Sequence, residues 1–190
     1  MSFRAELLSG RRIALAGGEL GTIRTGLEQL GAWVDTIEDD ELLAEEAAVS
    51  WANQRRPLHG LVFDAAASFG LGGQSGLGHS LQLAWLATRA IATGALIADE
   101  GPGQLVLIAP RPDAGVHAEA ARAGLENLAR TLSVEWARFA VTSVAVCPGS
   151  QTTDEELAEL VCFLLSAGGQ YLSGCRFDLG RAHDGLIRAS

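Results

Sequence analysis

Short apolar runs alternate with stretches of helical periodicity along the whole sequence. The runs at 12–16 and 141–147 are apolar at successive positions, which is typical of strands buried on both faces of a sheet. Residues 21–30 instead repeat apolar side chains at helical spacing and stop at Gly31, a common end signal for a helix. This alternation predicts a parallel sheet with helices on both faces and right-handed crossovers. We therefore expect a doubly wound α/β fold of three α/β/α layers, in a single domain at 1–190.

The same patterns divide the chain into elements. The predicted strands lie at 12–16, 32–37, 58–64, 104–109, 141–147 and 174–179. The predicted helices lie at 21–30, 39–56, 80–98, 116–138 and 153–166. A glycine-rich stretch at 68–78 shows no periodicity and is predicted to be a loop.

The charged residues exclude several kinds of chemistry and partner. The chain has 14 Lys+Arg against 23 Asp+Glu, a net charge of −9, and all the cations are arginine. Tyr171 is its one tyrosine. The absence of lysine excludes a Schiff-base lysine and a phosphate-loop lysine. The acidic balance argues against nucleic acid and anionic membranes as partners, because both require clustered cations.

The cysteines give no sign of a metal site or a disulfide framework. Cys147, Cys162 and Cys175 are odd in number and have no CxxC spacing, so buried free thiols are expected. No run approaches the ~20 apolar residues of a membrane span, and the N-terminus lacks the apolar core of a signal peptide. We expect a cytoplasmic protein.

Blocks in the second half of the chain resemble the short-chain dehydrogenases/reductases. They read ARAGLENLARTLSVEWA at 121–137, VTSVAVCPG at 141–149, LAELVCFLLS at 157–166 and QYLSGCRFDLG at 170–180. Two earlier runs are similar to the family's fifth and fourth strands, GQLVLIAP at 103–110 and LHGLVFDAA at 58–66. The resemblance implies a Rossmann-type fold, a nicotinamide cofactor and the interconversion of a hydroxyl and a ketone.

The catalytic positions that the resemblance implies all depart from the family pattern. The family's general acid/base is a tyrosine with a lysine one helical turn later, and the matching positions hold Ala118 and Arg122. The family's serine follows its fifth strand, where this chain has Ala109, and the family's helix asparagine matches Ser80. Alanine has no proton to give, and arginine stays charged at any working pH. These losses predict a degenerate member of the family without hydride chemistry.

His117 lies beside the vacant tyrosine position and could titrate near neutral pH. It is either a replacement base or a surface histidine at the start of a helix. The second interpretation is favoured because no nucleophile or orienting carboxylate is indicated nearby.

The cofactor positions that the resemblance implies are partly retained. The family's glycine-rich turn brings a pyrophosphate to a helix N-terminus, and its match here, AGGELGTI, keeps Gly17 and Gly21. Ile23 replaces the last glycine and adds bulk, and Glu19 adds a negative charge. We therefore expect these two side chains to block the position of the diphosphate. Asp64 stands where the family has the first amide of an NNAG motif, and its charge would repel phosphate. We expect no cofactor in this chain and treat these positions as vestigial.

Other family segments are altered or missing. The cluster GLGGQSG at 70–76 is either a nucleotide loop or, because the family holds no phosphate there, a flexible connector. A single helix is predicted between the strands at 32–37 and 58–64, so the family's third strand, which walls the adenine pocket, is missing. Only residues 150–156 replace the family's long substrate lid. About six strands are therefore expected.

The best-preserved elements are the two long helices and the C-terminal helix and strand, which are oligomer surfaces in the family. The candidate interface residues are Trp85, Leu125, Leu128, Leu132 and Trp136. Their helical spacing fits an intrachain core equally well.

Three functions stay open from the sequence. The first is a non-catalytic subunit that pairs with and scaffolds a competent short-chain dehydrogenase, which would hold NAD(P); a second copy of this chain is the other possible partner. The second is an active NAD(P)-dependent oxidoreductase with an atypical site built from His117 or Asp64. The third is a small-ligand sensor that uses the cleft at the carboxyl ends of the strands.

Overall fold

A single parallel sheet forms the centre of the fold. In this computed structural model, residues 6–18, 20–70, 72–99 and 101–180 are described. The strands are β1 (Arg12–Ala16), β2 (Trp33–Ile37), β3 (Gly60–Asp64), β4 (Gly103–Ile108), β5 (Val141–Cys147) and β6 (Arg176–Asp178). They form one 6-stranded sheet in the order β2-β1-β3-β4-β5-β6, and every neighbouring pair is parallel. The predicted doubly wound class is confirmed.

Helices cover both faces of the sheet. They are α1 (Gly21–Gln29), α2 (Asp39–Leu43), α3 (Glu45–Gln54), α4 (Ala65–Phe69), α5 (Gly73–Ile91), α6 (Ala118–Glu135) and α7 (Asp154–Leu164). On one face, α1 and α7 pack on a core that includes Val62. On the other face, α3, α5 and α6 pack on a core that includes Leu61 and Phe63. The alternation along β3 follows from the two-residue period of a strand.

The order of the sheet reverses beside β1. Strand β2 lies on one side of β1 and β3 on the other. Doubly wound folds bind ligands at such a switch point, outside the carboxyl ends of the strands. Gly17 follows β1 and Asp64 ends β3, so the fold brings these predicted positions to the same crevice.

Strand β2 lies at the edge of the sheet. It pairs with β1, and no other strand in the described part of the chain pairs with it. Trp33 at its start is 67% exposed. Arg24 of α1 donates hydrogen bonds to the Val34 carbonyl at 3.1 Å and to the Thr36 hydroxyl. The arginine covers part of the open edge, which is one way that proteins prevent strands from adding to a sheet.

The helix predicted at 39–56 is wrong as a single helix. The backbone of Ala44 has φ −100° and ψ 93°, which is not helical, and it separates α2 from α3. Leu42 before the break and Trp51 after it are both buried.

The loop predicted at 68–78 is also wrong, because α4 ends and α5 begins within it. A Cβ on Gly76 would lie 2.2 Å from the Phe69 carbonyl oxygen, so glycine here permits close packing of α5 on α4. The backbone N–H groups of Gly72 and Gly73 donate to the carbonyls of Phe69 and Val116, each at 3.0 Å. These two groups are therefore engaged within the protein, and Leu71 between α4 and α5 lies outside the described residues.

Candidate functional site

The turn after β1 packs closely against the end of β3. A Cβ on Gly17 would lie 2.2 Å from the Asp64 carbonyl oxygen, and one on Gly18 would lie 3.3 Å from Asp64 Oδ2. Both glycines have positive φ, 72° and 56°, which favours glycine. Contact with β3 therefore suffices to explain Gly17. Gly21, in contrast, would meet nothing within 4 Å and leaves the first turn of α1 open.

The Asp64 carboxyl lies beside this turn and caps α4. Its Oδ1 accepts a hydrogen bond from the Ala66 N–H at 2.9 Å. Desolvation raises the pKa of Asp64 to about 6; the Ala66 N–H and Arg111 oppose this rise, and Asp154 adds to it. Asp64 and Asp154 both line a cavity of about 70 Å³. From the sequence, we expected the negative charge of Asp64 to repel phosphate. Because the pKa of Asp64 is raised to about 6, that charge depends on pH near neutrality.

Arg111 connects the loop after β4 to the loop after β5. Its guanidinium donates to the carbonyls of Gly149 at 2.9 Å and Thr152 at 2.5 Å. It also pairs with Asp154 at 3.3 Å. Since ligands of open α/β sheets bind at these strand ends, this bridge crosses the place where a substrate would lie.

The positions that the resemblance matches to the family's tyrosine, serine and asparagine offer no free polar group. Ala109 and Ala118 are 1% and 2% exposed, and Ala118 packs beside Phe69. Ser80 is fully buried, and its hydroxyl donates to the Leu77 carbonyl of its own helix at 3.1 Å. None of these side chains is positioned to donate a proton to a substrate.

Arg122, which the resemblance matches to the family's lysine, is buried among backbone carbonyls. Its Nη1 donates to the carbonyls of Pro110 at 2.9 Å and Pro148 at 2.8 Å. Its other nitrogens pair with Glu119 at 3.3 Å and Asp178 at 3.5 Å. The guanidinium therefore joins the two loops that follow β4 and β5.

The remaining candidate acid/base groups lie on the surface. His117 is exposed and is the N-cap of α6, with φ 73° and no side-chain cap hydrogen bond. This is the position that the surface interpretation requires. Tyr171 is 90% exposed and ends the 3-10 turn Ala167–Tyr171 after α7. Because α7 starts at the carboxyl edge of the sheet and crosses to the other edge, Tyr171 lies away from the crevice.

A cleft of about 510 Å³ remains beside the first turn of α1. It is lined by Leu15, Gly18, Leu20, Gly21, Thr22, Arg24, Thr36 and Asp154. The expectation that Ile23 blocks this place is wrong, since Ile23 is 3% exposed and packs in the core with α7. Its position in the helical repeat turns its side chain toward the sheet. Glu19, the other predicted obstacle, lies outside the described residues.

The residues present do not fit a reacting nicotinamide dinucleotide. The α1 end of the crevice keeps open space and has no acidic residue in the first turn of the helix. At the β4 and β5 end, Ala118 supplies no proton donor, and Arg111 and Arg122 are bonded to backbone carbonyls. At that end, none of the side chains that the resemblance matches to the family's catalytic positions is free to move a proton to or from a substrate oxygen.

The candidate interface residues divide into buried and surface groups. Leu125 and Leu132 are 0% and 2% exposed and belong to the core of this chain, which is the intrachain alternative. Leu128 and Trp136 are partly buried against that core, and Trp85 is 42% exposed. Only these last three side chains can reach a partner without unfolding the chain.

The cysteines are free thiols. Cys147 and Cys162 are buried and Cys175 is half-buried. Burial raises the pKa of Cys162 to about 11 and also raises that of Cys147, so neither is a thiolate near neutral pH. Among the described residues, no group of three or more His, Cys, Asp or Glu could hold a metal ion. In the same part of the chain, no helix is long and apolar enough to span a membrane.

Two arginines of structural importance were not identified from the sequence. Arg24 covers the edge strand β2, and Arg111 bridges the loops after β4 and β5. Both lie where motifs end, Arg24 just after the glycine-rich turn and Arg111 just after the strand predicted at 104–109. One signal was available in the sequence: every cation of the chain is an arginine. Arginine has a planar guanidinium that can donate to two acceptors at once, which suits it to joining loops. The acceptors themselves come from distant loops and leave no trace in the local sequence.

The comparisons with known proteins concern the fold. No protein-family model and no curated protein matches the chain. Among solved structures, a citronellol catabolism dehydrogenase from Pseudomonas aeruginosa PAO1 matches at 24% identity with a TM-score of 0.74, over 93% of this chain and 95% of its own. A short chain dehydrogenase from Mycobacterium smegmatis matches at 21% identity and TM-score 0.74, over 93% and 94%. A short-chain type dehydrogenase/reductase from Mycobacterium marinum matches at 17% identity and TM-score 0.74, over 90% and 94%. This chain has the Rossmann-like fold of the short-chain dehydrogenases/reductases.

Proposed function

We propose that this chain is a non-catalytic subunit of short-chain dehydrogenase fold that pairs with and scaffolds a catalytically competent short-chain dehydrogenase. The observation that carries the proposal is the state of Arg122. At the family's lysine position it is buried and bonded to the carbonyls of Pro110 and Pro148. A guanidinium in that state holds two loops together and relays no proton. The partner supplies the NAD(P), the tyrosine and the lysine.

The surroundings of Arg122 support the same assignment. Hydride exchange with a carbonyl group needs a proton donor or acceptor within hydrogen-bond reach of the reacting oxygen. Ala118 has no such group, and the Ser80 hydroxyl is bonded within its own helix. Arg111 crosses the strand ends where the substrate would enter. The proposal therefore assigns the chemistry to the partner.

An uncharged surface on the two long helices supports the pairing. We name it the helix-pair face; its exposed residues are Gly78, Gln82 and Trp85 of α5 and Ala120, Ala123, Asn127, Thr131 and Val134 of α6. None of these residues is charged; the cations beside them on the outer side of the two helices, Arg89 and Arg130, are paired with Glu45 and Glu126. Interface centres are depleted in charge and enriched in aromatic residues. The face therefore has the composition of an interface, with Trp85 as its anchor.

The partner that fits this face is the equivalent helix pair of a short-chain dehydrogenase. The family resemblance implies that these two helices pack against those of another subunit. A Cβ on Gly124 would lie 2.8 Å from Leu81, so α5 and α6 pack closely and present a continuous surface.

A small-ligand sensor is a second candidate function, favoured by the cleft of about 510 Å³ beside α1. Its walls include Arg24 and Thr36, and a ligand bound there would raise the melting temperature of the chain. An active enzyme built on His117 or Asp64 is the remaining alternative. His117 is exposed, and Asp64 has one carboxyl oxygen committed to α4.

Assays on the isolated chain test whether it is catalytic. The purified chain is assayed for hydride transfer with NADH and NADPH over paired alcohols and ketones, with a competent short-chain dehydrogenase as the positive control. We expect a rate no higher than the enzyme-free rate. Turnover that disappears in Asp64→Asn or His117→Ala would contradict the proposal and establish an atypical enzyme. A rise in melting temperature with a small ligand, without turnover, would favour the sensor.

A further inference from the structure

His59 joins three strands at their amino ends, the edge of the sheet opposite the crevice. It directly precedes β3, and its backbone N–H donates to the Arg12 carbonyl at 2.8 Å. Its carbonyl accepts a hydrogen bond from the Gln104 N–H at 3.1 Å. Its ring Nδ1 accepts a hydrogen bond from the backbone N–H of Arg12 at 3.0 Å. The backbone and the ring of this one residue therefore hold the start of β1 beside the starts of β3 and β4.

The bond from Arg12 to the ring requires a neutral imidazole. A neutral imidazole has one N–H donor and one acceptor nitrogen, whereas both nitrogens of the charged ring are donors. The Arg12 N–H can donate only to a ring nitrogen that carries no hydrogen, so the hydrogen of the neutral ring is on Nε2. A proton taken up at Nδ1 removes this bond and points two N–H groups at each other.

Two charged side chains face the His59 ring. Arg11 faces it from the residues before β1, and Asp99 faces it from the loop before β4. The Arg11 guanidinium is held there, because its Nη2 donates to the His59 carbonyl at 3.2 Å. Asp99 is paired with Arg56 at 2.6 Å, and Glu100 beside it lies outside the described residues. A charged His59 would therefore place a second cation beside Arg11, while the facing acid is already shared with Arg56.

The other elements at this end of the sheet give a charged ring no further acid. On β2, Asp35 lies 2.9 Å from Arg12 Nε and 3.5 Å from Arg55 Nε, so its carboxylate already faces two cations. Strand β4 has no titratable side chain among its residues. Its Gln104 is neutral, and the side-chain oxygen accepts a hydrogen bond from Arg11.

We propose that His59 is an acid-sensitive joint between the amino ends of β1, β3 and β4. With a neutral ring, the Arg12 N–H is bonded and the start of β1 is held in place. When the ring takes up a proton, this bond is lost and a cation is added beside Arg11, so the start of β1 loosens from residues 58–60. The joint lies at the edge of the sheet away from the crevice and involves only this chain, so it does not depend on the partner proposed above.

The joint is closed at neutral pH and loosens in acid. Burial, and after it the Arg11 charge, lowers the pKa of His59 below its ordinary value of 6.5, and Asp99 opposes this. A histidine that titrates lower in the folded chain than in the unfolded chain favours the neutral folded form. The stability that it contributes is complete above pH 6.5 and is lost as the pH falls from there toward the folded pKa.

Hydrogen exchange at two pH values tests the joint. Protection factors, corrected for intrinsic exchange, are measured at pH 7.5 and pH 5 for peptides covering 11–16 and 58–63. In the natural sequence we expect protection to fall about tenfold at pH 5. The interval between pH 5 and the ordinary histidine value of 6.5 limits the fall to about thirtyfold.

Two histidine variants separate the joint from other effects of acid. His59→Asn should abolish the fall in protection, because the asparagine Oδ1 takes the place of Nδ1 as acceptor and does not titrate. His79→Asn, which changes an exposed histidine on α5, is the matched control and should keep the fall of the natural sequence. Equal protection at both pH values in the natural sequence, or the same fall in His59→Asn, would overturn the proposal.

A second readout needs no variant. In ¹⁵N spectra of the natural sequence at pH 7.5, the His59 ring should carry its hydrogen on Nε2 alone. On acidification, the Arg12 amide signal should shift together with the ring signals, with a midpoint below pH 6.5. A neutral ring with its hydrogen on Nδ1, or a midpoint at or above pH 6.5, would also overturn the proposal.

Discussion

Two arginines, Arg111 and Arg122, join the loops at the ends of β4 and β5. Arg111 lies in the loop after β4 and donates to the carbonyls of Gly149 and Thr152 in the loop after β5. Arg122 donates to one carbonyl in each loop, those of Pro110 and Pro148. The planar guanidinium can satisfy two acceptors at once, which a lysine ammonium does less well. These hydrogen bonds cross-link the loops at this end of the crevice.

Replacing Arg122 by the family's lysine should destabilise the chain. Arg122→Lys keeps the charge, but one ammonium nitrogen cannot replace Nη1 on the Pro110 and Pro148 carbonyls and also the nitrogens that pair with Glu119 and Asp178, so a buried cation is left with fewer partners. We expect a loss of about 2 kcal/mol in the free energy of unfolding, measured in urea, and no gain of hydride transfer. Arg130→Lys on the exposed side of the same helix is the control, with a change within about 0.5 kcal/mol. Equal stability of both variants would contradict the role of Arg122 in holding the two loops together.

Replacing Asp64 by asparagine should stabilise the chain in a pH-dependent way. The folded pKa of Asp64, about 6, lies above its ordinary value of 3.8, so the folded state holds this proton more tightly. The stability from the neutral acid is complete below pH 3.8 and is lost as the pH rises through 6. We expect Asp64→Asn to match the natural sequence at pH 4 and to exceed it by about 3 kcal/mol at pH 7.5. A constant difference across this range would show that ionisation of Asp64 is not the cause.

The sequence predicted individual side chains unevenly. The missing donors at Ala109 and Ala118 could be read directly, because an alanine has no polar group in any fold. The orientation of the Ile23 side chain could not be predicted, because it depends on how α1 packs on the sheet. The hydrogen-bond partners of Arg122 could not be predicted either, because they lie in two separate loops. Asp64 was recognised as an acid, but its raised pKa depends on burial that only the fold creates.

Among the elements, β2 is an edge strand whose outer side is covered by a side chain. Its outer side has no strand partner in the described part of the chain, yet Arg24 bonds the Val34 carbonyl and the Thr36 hydroxyl. A charged side chain over an open edge discourages the addition of another strand. The shortened sheet is thereby kept from pairing with other chains at β2.

Removing that side chain should expose the edge. Arg24→Ala frees the Val34 carbonyl and leaves Trp33, 67% exposed, at the start of an open strand. We expect a larger aggregated fraction by light scattering at equal concentration. Arg138→Ala, another exposed arginine, should leave that fraction unchanged. Identical scattering from the two variants would show that Arg24 does not protect the edge.

Strands were easier to predict than the glycine-rich helices. The runs that became β1 and β5 have the predicted bounds, Arg12–Ala16 and Val141–Cys147, because continuous apolar runs are typical of central parallel strands. The start of α5 was missed because glycine has a low helix propensity. There, close contact of Gly76 with Phe69 outweighs that propensity, and such contacts cannot be read from local sequence.

For the molecule as a whole, the helix-pair face is the proposed site of assembly. Trp85→Glu places a charge on this uncharged surface and should abolish pairing, read as the loss of the larger species in size-exclusion chromatography with light scattering. The thermal stability of the isolated chain should change little, since Trp85 is 42% exposed and exposed substitutions change stability by about 0.5 kcal/mol or less. Leu43→Glu is the control, because Leu43 is 54% exposed on α2, outside the helix-pair face. Loss of pairing in both variants, or in neither, would contradict the assignment of this face.

The pairing itself is tested by native mass spectrometry of the complex captured from the source cells with this chain as bait, beside its Trp85→Glu variant. We predict a hetero-oligomer of defined mass that contains a full-length short-chain dehydrogenase, identified by peptide sequencing and absent from the variant sample. A homo-oligomer or a monomer of this chain alone would contradict the proposed function.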